Sequence, residues 1–560
     1  MPFLQQNKNK SGLIAKPYVK RTKPFGTLAS RTIGDIYGEF EKGGKNGLEL
    51  EYDSLLRGIP GTSTLRKVNG RIMNVIDDDP IPGKDIVSTI DIDIQDITER
   101  ALLEELKKID AESGTAVVME VSTGEIKAIT NMGRVSEGVW AETKNHAVAD
   151  EIEPGSTFKV ASMMVALDDS LVRPKDPVDV GKGVFQYAGL TLKDHNANRG
   201  GYGKITAERA IWFSSNIGVA KLILKAYGNN PAKYVDGLYR LGFNQDLHLD
   251  IPGYGIARVR SPRTSPKTWS KSTLPWMSFG YETQIPPIYT LTFFNAIANN
   301  GKMVKPLFVK EIKENGQAKE KREAVVLKEH ICSDRTLAEI RDMLDSVVNY
   351  PQGTGKPAHS DLVRISGKTG TAQISQGAAG YKAGGLSHQV SFCGYFPSND
   401  PQYSCIVVIR KPRNGAASGG FMSGTVFKRI AEEVYVQSVA VSPRLTAYND
   451  TITPKIPKVK SGLSERLVYA MKKLNVDYTD SLKGQWMNAR SEDNRVLLSN
   501  RKLPDNLVPN VVGMGARDAV YALEKTGLQV VLSGFGEVKS QSLLAGSNVL
   551  KGQTIVIQLE

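Results

Sequence analysis

The sequence predicts an α+β fold for the central part of a multi-domain chain, on three observations. The chain has 560 residues of ordinary hydrophobic content, more than one core organises and well inside the range of globular proteins. Between residues 86 and 441, the runs fall in the order hairpin, helices, three strands, helix. That order builds an antiparallel sheet with helices segregated around it. Finally, the turn Pro154-Gly155 leads through Ser156 into an apolar run over residues 160–167, which starts a buried helix.

Taken in order, residues 1–85 are rich in glycine, charge and turns, and read as a small irregular α+β region ending in the linker Ile81-Pro82-Gly83-Lys84. Residues 86–92 read as a strand. Residues 95–108 carry Ile97, Ala101, Leu102 and Leu106 at helical spacing. Residues 115–119 and 125–130 flank Ser122-Thr123-Gly124 as a hairpin. Residues 206–226 read as one apolar helix with polar Ser214-Ser215-Asn216 inside it. A buried helix follows at 291–298, closed by Asn299-Asn300-Gly301. Strands are expected at 363–374, 390–396 and 403–410, then an amphipathic helix at 426–441. Residues 442–505 are polar and loop-like around one helix at 463–474. The last segment reads as strand (508–512), helix (516–526) and strands (528–532, 554–559).

Composition excludes several classes. The net charge of +13 is spread along the chain, and no zinc-finger, helix-turn-helix or RNA-binding signature accompanies it, so no nucleic-acid partner is expected. An anionic wall polymer or membrane surface suits a basic envelope protein equally well. Cys332, Cys393 and Cys405 make neither a disulfide framework nor a metal spacing, and the six histidines are scattered. No metal or organic cofactor is expected. No run of eighteen apolar residues is present, and Met1 to Lys23 is basic and polar, unlike a signal peptide.

Ser156 and Lys159 form S-x-x-K at a helix start. A hydroxyl one helical turn from an amine, at the positive end of the helix, is a candidate activated nucleophile. The motif is common by chance, and Ser499-Asn500-Arg501-Lys502 matches it in a polar segment. Two further elements follow in order: Ser214-x-Asn216 and Lys368-Thr369-Gly370-Thr371. A second K-T-G, Lys525-Thr526-Gly527, ends a helix, where Gly527 serves as a C-cap. The copy at Lys368 lies in a strand-like run of small residues, whose open edge can receive a substrate backbone.

With these three elements the chain resembles the penicillin-binding proteins and serine β-lactamases. Thr89-Ile90-Asp91 with Gln95, and Gly124-Glu125-Ile126, resemble the opening of their transpeptidase domain; Ala296 to Gly301 and Ser391 to Pro397 resemble later landmarks. Gly47-Leu48-Glu49, Tyr52-Asp53, Leu56, Gly58 and Gly61 resemble the end of the non-catalytic pedestal of class B members, and Val508 to Met514 with Asp518-Ala519 and Gly527-Leu528 resembles a PASTA domain. The resemblance implies a class B, division-type peptidoglycan transpeptidase. It implies a sheet with helices on both sides, with a partial pedestal at 1–85, the transpeptidase domain at 86–441, a linker or degenerate PASTA-like region at 442–505 and a PASTA domain at 506–560. Such proteins begin with a membrane anchor, and Pro24-Phe25-Gly26 already resembles mid-pedestal sequence, so the anchor is expected to be missing and the placement to be the outer face of the cytoplasmic membrane.

The reaction so implied is acyl transfer. Ser156 attacks the D-Ala-D-Ala carbonyl of a stem peptide, D-Ala leaves, and an amine of a second stem resolves the acyl-enzyme; β-lactams trap that acyl-enzyme. Lys159 is the expected base, held neutral by burial and by the cation Lys368. Asn216 is expected to bond Lys159 and the substrate amide, Ser214 to relay a proton to the leaving amine, and Lys368, Thr369, Gly370 and Thr371 to bind the terminal carboxylate. The resemblance also implies an oxyanion hole from the amides of Ser156 and Thr371, and a glycan polymerase and division proteins as partners. Glu151 and Glu153 are the nearest carboxylates that could serve a hydrolytic water. A D,D-carboxypeptidase or β-lactamase, and a non-catalytic penicillin-sensing or wall-binding module, stand as alternatives.

Overall fold

The computed structural model describes residues 21–38, 42–68, 71–374, 387–441, 458–474, 476–479, 484–492 and 495–560. These fall into two compact units, one up to residue 441 and one from residue 458.

The first unit is built on a six-stranded antiparallel sheet. Its strands are β1 (Ser113–Glu120), β2 (Ile126–Ser136), β3 (Val139–Ala141), β4 (Ser366–Gln373), β5 (His388–Phe396) and β6 (Tyr403–Arg410), in the spatial order β4-β5-β6-β1-β2-β3. The late strands therefore insert beside the early hairpin, and β4 becomes an edge. Strands β1 and β6 are buried along nearly their whole length, as expected of a sheet covered on both faces. Helix α1 (Ile92–Ile109) and helix α6 (Thr425–Val441) pack on one another and α1 on β1 and β2; helix α4 (Pro287–Ala298) packs on β5 and β6. Every residue of α4 is buried, which explains why it is apolar all round.

The opening motif has a structural role. Asp91 accepts from the amides of Asp93 and Ile94 and so caps α1. Gln95, fully buried, donates to the Ile129 carbonyl at 3.2 Å and to Thr130 Oγ1 at 2.8 Å, and accepts from the Ile129 amide at 2.7 Å. Thr89 Oγ1 lies 2.8 Å from the carbonyls of both Ile126 and Leu307. The same contacts shorten the expected strand at 86–92 to Asp85–Ser88, which pairs with Val309–Glu314 in a separate small sheet. The expected helix at 206–226 is two helices, Ala207–Trp212 and α3 (Asn216–Tyr227). Ser214 sits between them at φ +52, a left-handed conformation that stops the first helix. Helix α5 (Asp334–Asn349), which packs behind β4, lies where no element was expected.

In the second unit, the stretch expected to be loop-like carries a three-stranded antiparallel sheet (Gly462–Leu463, Trp486–Ser491, Val496–Asn500) and the helix Ser464–Lys473, with its own small apolar cluster around Met471, Met487, Val496 and Leu498. The terminal part holds the helix Ala516–Glu524 and a sheet in which Thr554–Leu559 lies between Gln529–Gly534 (parallel) and Val538–Gln541 (antiparallel). No strand forms at 508–512. There, Arg501 donates to the carbonyls of Asn510 and Val512, and Gln541 accepts from the Val511 amide. Side chains thus take the groups a ladder would use. Residues 442–457 of the expected linker and residues 1–20 of the expected pedestal lie outside the described residues.

Candidate active site

Pro154 leads into one 3₁₀ turn (Gly155–Phe158) that runs directly into helix α2 (Lys159–Asp168). The turn is packed tightly from two sides. Gly155 has φ +59, and a Cβ there would stand 2.8 Å from that of Ala372; Gly280, at φ +90, could carry no Cβ, which would fall 2.2 Å from the Gly155 carbonyl oxygen. Ser156 is thereby fixed beneath the β4 edge, buried except for a 9% exposure. Its amide belongs to the first turn of the helix and has no intrahelical acceptor.

Two lysines converge on one hydroxyl beside it. Lys159 and Lys368 are both fully buried. Lys159 Nζ donates to the Ser214 carbonyl at 2.6 Å and to Ser214 Oγ at 3.2 Å. Lys368 Nζ donates to the same Oγ at 2.9 Å, to the Thr369 carbonyl at 2.9 Å and to Thr369 Oγ1 at 3.2 Å. The left-handed turn at Ser214 is what presents both its carbonyl and its side chain to the pair. Burial pushes Lys159 down to about 7, against the pull of the Asp194 carboxylate. Burial, and then the positive charge of Lys159 whenever that amine is protonated, push Lys368 well below the ordinary lysine range. An ammonium has three protons to place, and Lys368 has three acceptors where Lys159 has two. The hydrogen-bond inventory therefore puts the free lone pair on Lys159, the lysine one helical turn from Ser156.

The edge position of β4 determines what faces the substrate. The Gln373 amide points out of the sheet and donates to the Tyr281 hydroxyl at 2.9 Å. Strand alternation then turns the amides of Thr371 and Thr369 outward as well, with unbroken register to β5. An outward Thr371 amide and the Ser156 amide are the two donors an oxyanion hole needs. Thr371 is exposed, and its Oγ1 accepts from the Gly419 amide at 3.2 Å. Thr369 Oγ1 is held 3.0 Å from Thr354 Oγ1.

Asn216 departs from expectation. Its Nδ2 donates to the Lys193 carbonyl at 2.8 Å, and it makes no hydrogen bond to Lys159 among the described residues. Asp194, invisible to sequence reasoning, is buried against the same turn. It accepts from Ser215 Oγ at 2.6 Å and from the Ile217 amide at 3.1 Å, capping α3 and supplying the negative charge nearest Lys159. Only its place in the polar run Lys193-Asp194-His195-Asn196 marked it. Glu151 and Glu153 line a cavity of about 540 Å³ beyond the end of β4, together with Arg258 and Arg260. Glu151 pairs with Arg258 at 3.3 Å, and Glu153 accepts from the Glu282 amide at 3.0 Å. No cluster of metal-ligating side chains is present among the described residues.

The model of the penicillin binding protein transpeptidase domain matches residues 114–432, more than half of the chain and every residue of the constellation above. The chain belongs to the penicillin-binding protein transpeptidase family. Flanking matches are to the penicillin-binding protein dimerisation domain at residues 2–88 and to the PASTA domain at 507–560. Among penicillin-binding proteins, the chain is similar to the stage V sporulation protein D of Bacillus subtilis, 28% identical over 475 residues, 82% of this chain and 71% of that protein. It is equally similar to the probable peptidoglycan D,D-transpeptidase PenA of Neisseria gonorrhoeae, 28% identical over 426 residues, 74% of this chain and 68% of that one. The transpeptidase domain of Burkholderia pseudomallei penicillin-binding protein 3 superposes with a TM-score of 0.53 at 29% identity, over 64% of this chain and 97% of that structure. The expected fold is that of the family. No helix among the described residues is long and apolar enough to cross a membrane.

Proposed function

We propose that this penicillin-binding protein is a serine D,D-transpeptidase that cross-links peptidoglycan stem peptides through an acyl-enzyme on Ser156, and that β-lactams acylate the same serine. The observation that carries this reading is the pair of buried lysines sharing the Ser214 hydroxyl beside a serine at a helix start. A neutral Lys159 takes the Ser156 proton as Oγ attacks the carbonyl between the two D-alanines. The amides of Ser156 and Thr371 receive the oxyanion, an interaction of about 3–4 kcal/mol per donor. Ser214, bonded to both lysines, passes the proton to the leaving D-Ala nitrogen. Lys368 with Thr369, Gly370 and Thr371 holds the terminal carboxylate, and Asn216, anchored on Lys193, fixes the substrate amide rather than Lys159. An incoming stem amine then displaces Ser156.

The domain boundaries proposed are a pedestal over residues 1–85, the catalytic domain over 86–441, a degenerate PASTA-like unit over 442–505 and a PASTA domain over 506–560. The helix and sheet at 462–500 support reading the third segment as PASTA-like rather than as linker. A septal role, a glycan polymerase and division proteins as partners, and action on the outer face of the cytoplasmic membrane follow the relatives, among them proteins named for sporulation and for peptidoglycan D,D-transpeptidation.

Intact-mass measurement of the purified chain with excess benzylpenicillin, beside Ser156→Ala, tests the reading. One stable adduct on the parent and none on the variant is the expected result. Rapid loss of penicillin without an adduct would make the chain a β-lactamase; no adduct and no loss would make it a non-catalytic module.

A further inference from the structure

The loop before α3 is strapped to the Ser214 turn at successive residues. Lys193 is held by Asn216 through its carbonyl, and Asp194 by Ser215 and Ile217. His195 is the next residue; it keeps part of its surface open to solvent, and the charges of Lys159, Asp194 and Lys368 reach it. Its Nε2 lies 3.1 Å from the Tyr202 hydroxyl, with the two rings edge-on at 5.9 Å. Tyr202 in turn stacks on Phe213, at 4.6 Å and 16° between planes, and Phe213 is the residue before Ser214. The imidazole is therefore held by an aromatic stack and a strapped loop, against the same turn that carries the relay hydroxyl. With Nε2–H donating to the Tyr202 oxygen, Nδ1 carries the lone pair, and Nδ1 makes no hydrogen bond among the described residues.

We propose that His195 accepts the surplus proton of the incoming acceptor amine, and so selects aminolysis over hydrolysis of the acyl-enzyme. This rests on the transpeptidase reading above. The proton count gives such a group a task. In acylation the Ser156 proton passes through Lys159 and Ser214 to the departing nitrogen, and the relay returns to its starting state. The acceptor arrives as an ammonium, R–NH₃⁺, and must lose one proton before its nitrogen has a lone pair. It loses that proton to His195, giving R–NH₂ and an imidazolium. The nitrogen then attacks the ester carbonyl, the C–N bond forms, and the carbonyl–Oγ bond breaks. The second proton leaves the nitrogen through Ser214 and Lys159 to Ser156 Oγ, and the imidazolium releases its proton to solvent. Water, the competing nucleophile, carries no surplus proton and needs no such acceptor.

The groups facing His195 suit this task. Partial burial, with Lys159 on α2 whenever that amine carries a proton, Lys368 on β4 and Arg199 on its own loop, holds the imidazole below its ordinary range, against the pull of Asp194. Tyr202, pushed up by burial and by Asp194, stays a neutral phenol. An imidazole so placed is unprotonated at neutral pH, so its lone pair is open to a proton that it then passes quickly to solvent.

The test uses the full chain, a thioester donor that acylates Ser156, and D-alanine as acceptor amine, and follows hydrolysis and amide product from pH 6 to 9. His195→Gln keeps a polar side chain at the Tyr202 hydroxyl but does not titrate. At pH 7 the amide-to-acid product ratio of this variant is expected to fall about tenfold, one unit of proton-transfer driving force, and to recover toward the parent ratio as pH approaches the ordinary amine range. Benzylpenicillin acylation, which has no incoming amine, is expected to change by less than about twofold. Tyr202→Phe, which frees the tautomer, is expected to fall between the two. An unchanged product ratio and pH profile would overturn the proposal, as would an equal loss of penicillin acylation, which would make His195 a structural residue. A parent chain that is not acylated by penicillin would instead overturn the transpeptidase reading itself.

Discussion

Changing the charge of one lysine should move the pH at which the other works. The two ammonium nitrogens lie 2.9 and 3.2 Å from the same Ser214 oxygen, and so stand no more than about 6 Å apart. Two unit charges at that distance in an effective dielectric of about 20 repel by roughly 3 kcal/mol, or about two pH units. The parent should therefore acylate with a rate that rises with pH through a midpoint near the Lys159 value of about 7, and at pH 5.5 it should run about 30-fold below its plateau. Lys368→Met removes the repulsion that a doubly protonated pair would feel, and the midpoint should climb by up to about two units, while burial still holds it below the ordinary lysine range. Lys159→Met should abolish acylation. It should also fold more stably at pH 6 than the parent, because a buried ammonium is gone. The sign follows from proton counts: between pH 7 and about 10 the unfolded lysine holds a proton that the folded one has lost, so parent stability rises with pH and the gap closes. Timed quench with benzylpenicillin and intact-mass readout gives the rates, and urea melts at pH 6 and 9 give the stabilities. A flat rate profile from pH 5.5 to 8.5 in the parent, or an unmoved midpoint in Lys368→Met, would refute the coupled-lysine base.

Three further outcomes are expected. Asp194→Asn removes the carboxylate that opposes the burial of Lys159, so the acylation midpoint should shift to lower pH, with a loss of about 1–2 kcal/mol from the weakened cap of α3; the same rate profile and a urea melt check both. Gly280→Ala drives a Cβ into the Gly155 carbonyl at a positive φ and should cost about 3 kcal/mol or more, read as a lowered melting temperature together with slowed acylation as the nucleophile turn shifts. A chain ending at residue 441 keeps the catalytic unit and its core intact, and should be acylated by benzylpenicillin within about twofold of the full chain; a large loss would show that the second unit supports the site.

Much of the catalytic unit was legible because its signals are local. The hairpin at β1 and β2 brackets a Ser-Thr-Gly turn, α4 is mostly apolar, and β5 and β6 are bounded by turn residues. These periods and punctuations survive any tertiary arrangement. The errors fell where long-range contacts decide the backbone. Residues 206–226 are apolar on both sides of polar Ser214-Ser215-Asn216 and read as one helix, yet Ser214 turns left-handed there, where two lysines from elsewhere in the chain bond its carbonyl and hydroxyl. Residues 508–512 carry Val508, Val511 and Val512 and read as a strand, but Pro509 has no amide for a ladder, and Arg501 and Gln541 take other backbone groups there.

By itself the sequence determined which residue types could do acyl transfer, Ser156, Lys159, Ser214, Asn216 and Lys368, and in what order they lie along the chain, since a motif is a matter of spacing. Only the tertiary structure decided that β4 is an edge strand with outward amides, that Asn216 serves Lys193 rather than Lys159, that Asp194 is the counter-charge, and that His195 rests on Tyr202. Edges, counter-charges and proton affinities are set by neighbours distant in sequence and by the water that those neighbours exclude, and no local pattern records either.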